Sequence, residues 1–375
     1  MVAVSCFYLI LGWVMVWRFQ GACKRTGFEE SEGSTTEMAL WPSLVQFKPI
    51  HRIDEATLDC LRSFVHQDYP GRQRVVLASS RDIPELDPAA LHAPSNVEVI
   101  WNKGTLEGTN RKIAAVAAAA QNVSEDYVIL SDADMVASPD LLRQVMQPFA
   151  QEKVGMVTCL YIVRRANSWG DVWEGINVAD FAASVLVARQ VEGITFGLGA
   201  VMAMRRSVLD DLGGLAAFKD YLADDYQLGN QIFRRGYKVV LANTVVEDVA
   251  DGATFWQYFM HQLRWMRTYR CNRPGGYFAF IVTQGMFWAL LLALCSGGAW
   301  WSWVVVLAWM LLRALWSCDT WRRLSGKHAA RYGLLAGIKD LIYVALWLLA
   351  FCGNTVEWGG ERFRVGRDGK MVKVN

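Results

Sequence analysis

The sequence predicts an α/β domain built on a largely parallel sheet and held between membrane segments. From Ser43 onward, short apolar runs alternate with helical patterns, which is how a parallel sheet with crossover helices reads along a chain. Polar residues follow each run, at the strand ends where open parallel sheets bind their ligands. The chain is 53% hydrophobic, and the excess is gathered before Arg18 and after Gly275. Its 375 residues leave room for one soluble domain of roughly 250 residues plus a few membrane segments.

Met1 to Trp17 carries no charge and is followed by Arg18, Lys24 and Arg25. No basic residue precedes this run and no small-residue cleavage site comes after it, so residues 1–18 read as a retained transmembrane anchor, not a cleaved signal peptide. The basic flank places the middle of the chain in the cytoplasm and the amino terminus outside.

Residues 40–253 form the α/β region. Ser43–Phe47, Arg74–Ala78, Val97–Trp101, Tyr127–Leu130 and Val154–Leu160 are rich in β-branched or aromatic residues and read as successive strands. Asp54 can cap a helix whose Leu58, Leu61, Phe64 and Val65 share a face, and Ser138-Pro139-Asp140 opens another with Pro at the first helical position. The strand ends carry Lys48-Pro49, Ser79-Ser80-Arg81-Asp82, Asn102-Lys103 and Ser131-Asp132-Ala133-Asp134.

Phe255 to Tyr269 is dense in aromatic and basic groups, with Trp256, Phe259, Leu263 and Met266 on one stripe, so residues 254–272 read as an interfacial helix. Three apolar segments occupy residues 277–353, near 277–295, 299–316 and 334–352, and the first two are long enough to cross a bilayer with few charges. The third has basic residues on both sides, Arg322, Arg323, Lys327 and Arg331 in front and the basic tail 354–375 behind. With Lys339 and Asp340 near its start, a crossing and a re-entrant or interfacial course both stay open. Eight cysteines with no CxxC pair and no His at zinc spacing read as packing residues in a reducing compartment. A net charge of +2 without any Lys/Arg-rich run points away from a nucleic-acid partner.

Asp132 and Asp134 come after a strand at alternate positions, so both carboxylates can face one ligand. A hard ion such as Mg²⁺ or Mn²⁺ takes one or two carboxylates together with substrate phosphate oxygens, and neutralises charge on a departing diphosphate; the plain alternative is a solvated turn. Asp224-Asp225 opens a helical pattern, Gln227 to Arg235, that Gly236 ends. These acids are either helix caps, or one is a general base for an acceptor hydroxyl, its pKa raised by its neighbour. His261-Gln262-Leu263-Arg264-Trp265 offers Arg donors for phosphate and an aromatic face, or else simple anchoring at the membrane surface. Asn110-Arg111-Lys112 lies before an Ala-rich helix, where its cations meet a nucleotide or only solvent. Phe196-Gly197-Leu198-Gly199-Ala200 lacks the third Gly of a dinucleotide fingerprint, and its glycines suit a close backbone approach or a bend.

In this order the motifs resemble the ceramide glucosyltransferase family and its bacterial relatives that glycosylate hopanoid polyols. The similarity runs from about Leu44 to Trp265 and includes Phe47-Lys48-Pro49, Gln67-Asp68-Tyr69-Pro70, Asn110-Arg111-Lys112, Asp132-Ala133-Asp134, Leu209 to Leu215 and Tyr221 to Tyr226. Val157-Thr158-Cys159-Leu160-Tyr161 and the Tyr221 to Tyr226 stretch look closest to the hopanoid branch. The resemblance implies an inverting GT-A (Rossmann-like) catalytic domain, a UDP-sugar donor, a divalent metal, Mg²⁺ or Mn²⁺, and a membrane lipid acceptor such as ceramide or a hopanoid polyol. It also implies an integral protein of a bacterial inner membrane with its catalytic domain in the cytoplasm.

By position, the resemblance makes Asp132 the second signature acid, Asp225 the third and the base, and Arg264 and Trp265 the end of the last motif. It makes Asp134, with Asp132, the metal ligand, and puts Lys48, Pro49, Asp82, Asn110, Arg111, Lys112 and His261 beside the nucleotide sugar. Two positions depart from the family pattern. Ile83 stands where the first signature acid is expected, with Asp82 one residue early, and His261 replaces the usual Gln or Arg. Two other functions compete. A processive polysaccharide synthase needs a bundle of spanning helices for its polymer. A non-catalytic lipid-binding or transport protein needs buried membrane charges, and Arg313 is the only charge within the first two carboxyl-terminal segments.

Overall fold

The computed structural model describes residues 1–31, 41–79, 83–103, 107–250, 252–325 and 330–374. Among them, a mixed sheet of eight strands forms the middle of the chain: β1 (Leu44–Ile50), β2 (Gln73–Ser79), β3 (Val97–Asn102), β4 (Tyr127–Leu130), β5 (Met135–Val136), β6 (Val154–Val163), β7 (Met202–Arg205) and β8 (Lys238–Asp248). Their spatial order is β3-β2-β1-β4-β7-β6-β8-β5. The amino-terminal helices are α1 (Val2–Ser31), α2 (Glu55–Val65), α3 (Arg111–Ala119), α4 (Leu141–Met146), α5 (Trp169–Val191) and α6 (Arg206–Asp210). The carboxyl-terminal half adds α7 (Asp224–Arg234), α8 (Phe255–Asn272), α9 (Pro274–Ala279), α10 (Gly285–Cys295), α11 (Trp300–Ser325) and α12 (Ala336–Leu349).

Strands β1 and β4 are buried along their whole length, as strands covered on both faces are; β4 is apolar throughout, whereas β1 buries Gln46 and Lys48 as well. Asp54 caps α2 by accepting from the Thr57 backbone N–H at 2.8 Å. The pairings β1 with β2, β1 with β4, β2 with β3 and β6 with β8 are parallel. β7 runs antiparallel to both β4 and β6, and β5 antiparallel to β8. The expected sheet therefore gains an inverted strand at its centre, one whose four residues are too few for a periodic signal. The order turns at β1, flanked by β2 and β4, which opens a crevice at the carboxyl ends of those strands. Helix α4 starts two residues later than expected. Pro139 precedes it in a turn, where its carbonyl accepts from the Asp68 N–H and the Ser138 carbonyl accepts from the Leu141 N–H.

Helix α1 is longer than the expected anchor, with an apolar span over Val2–Arg25. It packs on α5 and α11. A Cβ on Gly12 would meet Trp316, Ala183 and Val187, and the Trp13 and Trp17 indoles donate to Asp319, at 2.6 and 2.9 Å. Among the described residues, α1, α11 and Arg331–Cys352 are long and apolar enough to cross a membrane, and a bent pair, Pro274–Thr283 with Gly285–Cys295, makes a fourth span if counted as one. That pair breaks by 59°. The interrupted segment is thus the first of the three carboxyl-terminal ones and not the third.

The charges that left the third segment's course open are paired. Arg313 lies 3.2 Å from Asp340, and both Arg313 and Lys339 contact Asp180 of α5. Two cations and two carboxylates give a neutral quartet, which is how buried charge is tolerated.

The expected basic tail is a folded three-stranded antiparallel sheet of β9 (Thr355–Trp358), β10 (Glu361–Val365) and β11 (Met371–Lys373). Gly359 and Gly360, with φ of 61° and 81°, join β9 to β10, and a two-residue turn with positive φ at both positions matches the right-handed strand twist. Val356, Phe363, Val365 and Met371 point inward with Leu222, while Arg362 and Arg364 alternate outward.

Candidate active site

Four segments meet at the carboxyl ends of β1 and β4. Asp132 lies just beyond β4, and Lys48 near the end of β1 donates to the Ser131 hydroxyl at 2.8 Å and to the Asp132 carbonyl at 3.1 Å. The Lys48 ammonium sits 3.0 Å from the centre of the Phe64 ring. Burial drives its pKa down to about 7, against the pull of Cys60, Asp132 and Asp134.

Asn110 caps α3 by accepting from the Ile113 N–H, and its amide donates to the Tyr221 carbonyl and to Asp224. In the first turn of that helix, the Lys112 ammonium lies 2.6 Å from Asp132 and 3.5 Å from Asp224. Burial alone would lower its pKa, but Asp132 and Asp224 outweigh it and hold the ammonium protonated.

Asp224 and Asp225 occupy the first turn of α7, after a capping residue, Ala223, whose side chain makes no bond to the helix. Asp225 accepts from the Tyr226 N–H at 2.7 Å and from the Gly199 N–H at 3.0 Å. Burial first, and then Asp224, raise its carboxyl to about 6, against the opposing pull of Lys112. Asp224 is raised too, by burial against Lys112.

The Gly-rich loop, whose glycines suit a close backbone approach by a ligand or a bend, lies against both acids. A Cβ on Gly199 would stand 3.2 Å from Asp132 and 3.4 Å from Asp225, so both carboxylates border one point. The loop is itself wedged against α7, where a Cβ on Gly229 would fall 2.0 Å from the Gly197 nitrogen. Gly229→Ala should therefore destabilise the chain by about 1–3 kcal/mol, the usual cost of overpacking, and move the loop off Asp225. Thermal unfolding in detergent, unchanged from wild type, would refute that.

Helix α8 brings Arg264 within electrostatic reach of Asp225. Burial lowers its pKa to about 10, against Glu174, Tyr161 and Asp225. Trp265 lies edge-on to Phe181 and His261, at 5.9 and 5.1 Å. His261 is 3.5 Å from Glu174, which also accepts from the buried Gln262 at 2.8 Å. Glu174 and Tyr161 belong to this site and were not among the expected residues. Glu174 is one of three acids on the otherwise apolar helix α5, with Asp171 and Asp180, and no local pattern singles it out.

The other expected residues are dispersed. Pro49 is buried in β1, opposite Ala78 of β2. Arg111 turns away to Glu361 of β10, at 2.6 Å. Asp82 lies outside the described residues. Asp134 lines a small cavity with His51, Arg52 and Cys60, and its carbonyl accepts from the Val249 N–H. Among the described residues no three His, Cys, Asp or Glu side chains converge. Asp132 and Asp134 are hard oxygen donors in the number that a divalent ion shared with phosphate oxygens uses, and Gly199 leaves space beside Asp132. The chemistry of these two carboxylates suits such an ion.

The sequence profile described as glycosyl transferase family 21 matches residues 1–371. Ceramide glucosyltransferase 1 of Caenorhabditis elegans is 23% identical over 230 residues, 60% of this chain and 49% of that protein. Ceramide glucosyltransferase 3 of the same organism is 20% identical over 230 residues, 60% of this chain and 50% of that protein. The chain thus spans about half the length of the curated relatives it matches. Among solved structures, a mannosyltransferase from Pyrobaculum calidifontis in complex with GDP-Man and Mn²⁺ superposes with a TM-score of 0.50 at 18% identity, covering 91% of this chain and 98% of that one. At that identity the likeness is one of fold, and it accords with the expected GT-A architecture.

Proposed function

Since the chain belongs to glycosyl transferase family 21, we propose that it moves a hexose or N-acetylhexosamine from a UDP-sugar to the hydroxyl of a membrane lipid, ceramide or a hopanoid polyol, with inversion. The observation that carries this reading is the meeting of Asp132 and Asp225 at Gly199, with Lys112 beside both Asp132 and Asp224. A single displacement needs one acid on the diphosphate side and one on the hydroxyl side of a small site, and Asp132 and Asp225 are the two acids that border this one.

Asp225 takes the proton of the lipid hydroxyl, whose oxygen bonds to the anomeric carbon as the bond to UDP breaks and its electron pair leaves with the diphosphate. Lys112 holds Asp132 in place, and Arg264 offers paired donors to the phosphates. Trp265 offers a ring face to the sugar or acceptor. Asp132 and Asp134 would hold Mg²⁺ or Mn²⁺, which when bound neutralises charge developing on the departing diphosphate.

Delivery of the acceptor from a bilayer is supported by the spanning helices after α8 and by the exposed aromatics at the starts of α5 and α8, Trp169, Phe255 and Trp256. Arg18, Lys24 and Arg25 support a cytoplasmic site. Purified protein given radiolabelled UDP-sugar, Mn²⁺ and lipid extract should yield lipid-linked label. Labelled polymer would indicate a processive synthase, and no product a binding or transport protein.

The raised carboxyl also predicts a pH dependence. With its pKa at about 6, Asp225 is protonated below that pH and cannot act as a base. The value of kcat/KM should then fall about tenfold per pH unit below the midpoint. A rate flat down to pH 5 would remove Asp225 from this role.

A further inference from the structure

The carboxyl-terminal sheet leans on the site's supporting backbone. The Met371 N–H donates to the Asp220 carbonyl at 2.7 Å, and the Leu222 N–H donates to the Gly369 carbonyl at 3.2 Å. Tyr221 forms an antiparallel bridge with Lys370 between them. Residues 220–222 are in effect an added strand on the tail, sealed by Leu222 packing on Val356, Phe363, Val365 and Met371.

The opposite side of this segment holds the loop before α3. Asp220 accepts from the Thr109 N–H and hydroxyl, and the Asn110 amide donates to the Tyr221 carbonyl. Glu361 of β10 ties down the start of α3 through Arg111, at 2.6 Å, while Lys373 steadies Glu361 at 2.8 Å. Gly369, at φ +84°, fits against Asn272 and Gln227, and Gln227 lies two residues beyond Asp225.

We propose that the carboxyl-terminal sheet is a positioning element of the site, which by gripping residues 220–222 and Arg111 sets where Asp225 and Lys112 stand. The tail touches neither carboxylate of the reacting pair. It fixes the register between the two segments that carry the base and the lysine, α7 and α3. This rests on the reading of Asp225 as the base.

The test uses the full-length protein with UDP-glucose, Mn²⁺ and a total lipid extract, and measures UDP binding separately. Glu361→Arg places a cation against Arg111 and Lys373, and should lower kcat about 10-fold or more, the scale on which small misplacements act, while KM for UDP-glucose and Kd for UDP stay within about twofold. Gly369→Val, which strains the backbone and presses on Asn272 and Gln227, should reduce kcat in the same selective way. The double variant Arg111→Glu/Glu361→Arg restores the pair and should recover most of the lost kcat.

A wild-type kcat in Glu361→Arg, a double variant no faster than that single one, or a loss confined to donor KM overturns the proposal. Asp225→Asn in the same assay separates the two ideas. If it turns over normally, the reading of the base fails. If it is inactive while Glu361→Arg and Gly369→Val match wild type, only the role of the tail fails.

Discussion

Asp225→Asn is expected to lower turnover by at least ~10²-fold, the usual contribution of a general base, while UDP-sugar binding survives. The nucleophile of an inverting displacement enters in line with the leaving group. Its base therefore stands across the sugar from the diphosphate and from Asp132 and Asp134. Asp225 is placed for this by two backbone donors, Gly199 and Tyr226, and burial raises its proton affinity toward a useful range.

Asp224 is the internal control. One of its oxygens accepts from Asn110 and the other lies 3.5 Å from Lys112, so its engagement is with the scaffold. Asp224→Asn should cost less turnover than Asp225→Asn. The reverse order would mean that the base is misassigned by one residue. Full activity in both would reduce these acids to a charged first turn that favours the helix dipole.

Asp134→Ala should abolish metal-dependent turnover, with a loss on the order of 10³-fold, the rate equivalent of several kcal/mol of charge stabilisation on a leaving diphosphate. Chelation of the wild-type protein should produce the same loss, and added Mn²⁺ should restore the wild type but not the variant. The backbone bond at this position, in which the Val249 N–H donates to the Asp134 carbonyl, is independent of the side chain and should survive the substitution. Substantial activity in Asp134→Ala, or wild type indifferent to chelator, would take the ion out of this chemistry.

Much of the framework was legible because its signals are local. The apolar runs of β1, β2, β3, β4 and β6, the Asp54 cap and the glycine closing α7 each lie within a window of a dozen residues, the range over which periodicity and capping act. The same holds for Asp132 at the end of β4 and Asp224-Asp225 at the start of α7. The tail also carried a readable sign, alternating residues about Gly359-Gly360, but its five basic residues mimic a membrane flank.

The sequence by itself determined the strands β1, β2, β3, β4 and β6, where acids stand at strand and helix ends, and which stretches are rich in apolar residues. Tertiary structure alone decided which charges meet. Arg111 finds Glu361 across 250 residues of chain. Arg313 and Lys339 neutralise Asp180 and Asp340 from three different helices. A four-residue inverted strand, β7, enters the sheet between β4 and β6, and the loop before it brings Asp132 and Asp225 to one glycine. The physical reason is one of range: propensity and periodicity act between near neighbours in sequence, whereas a buried charge is stable only beside an opposite charge or donor in space, and only the completed fold sets those neighbours.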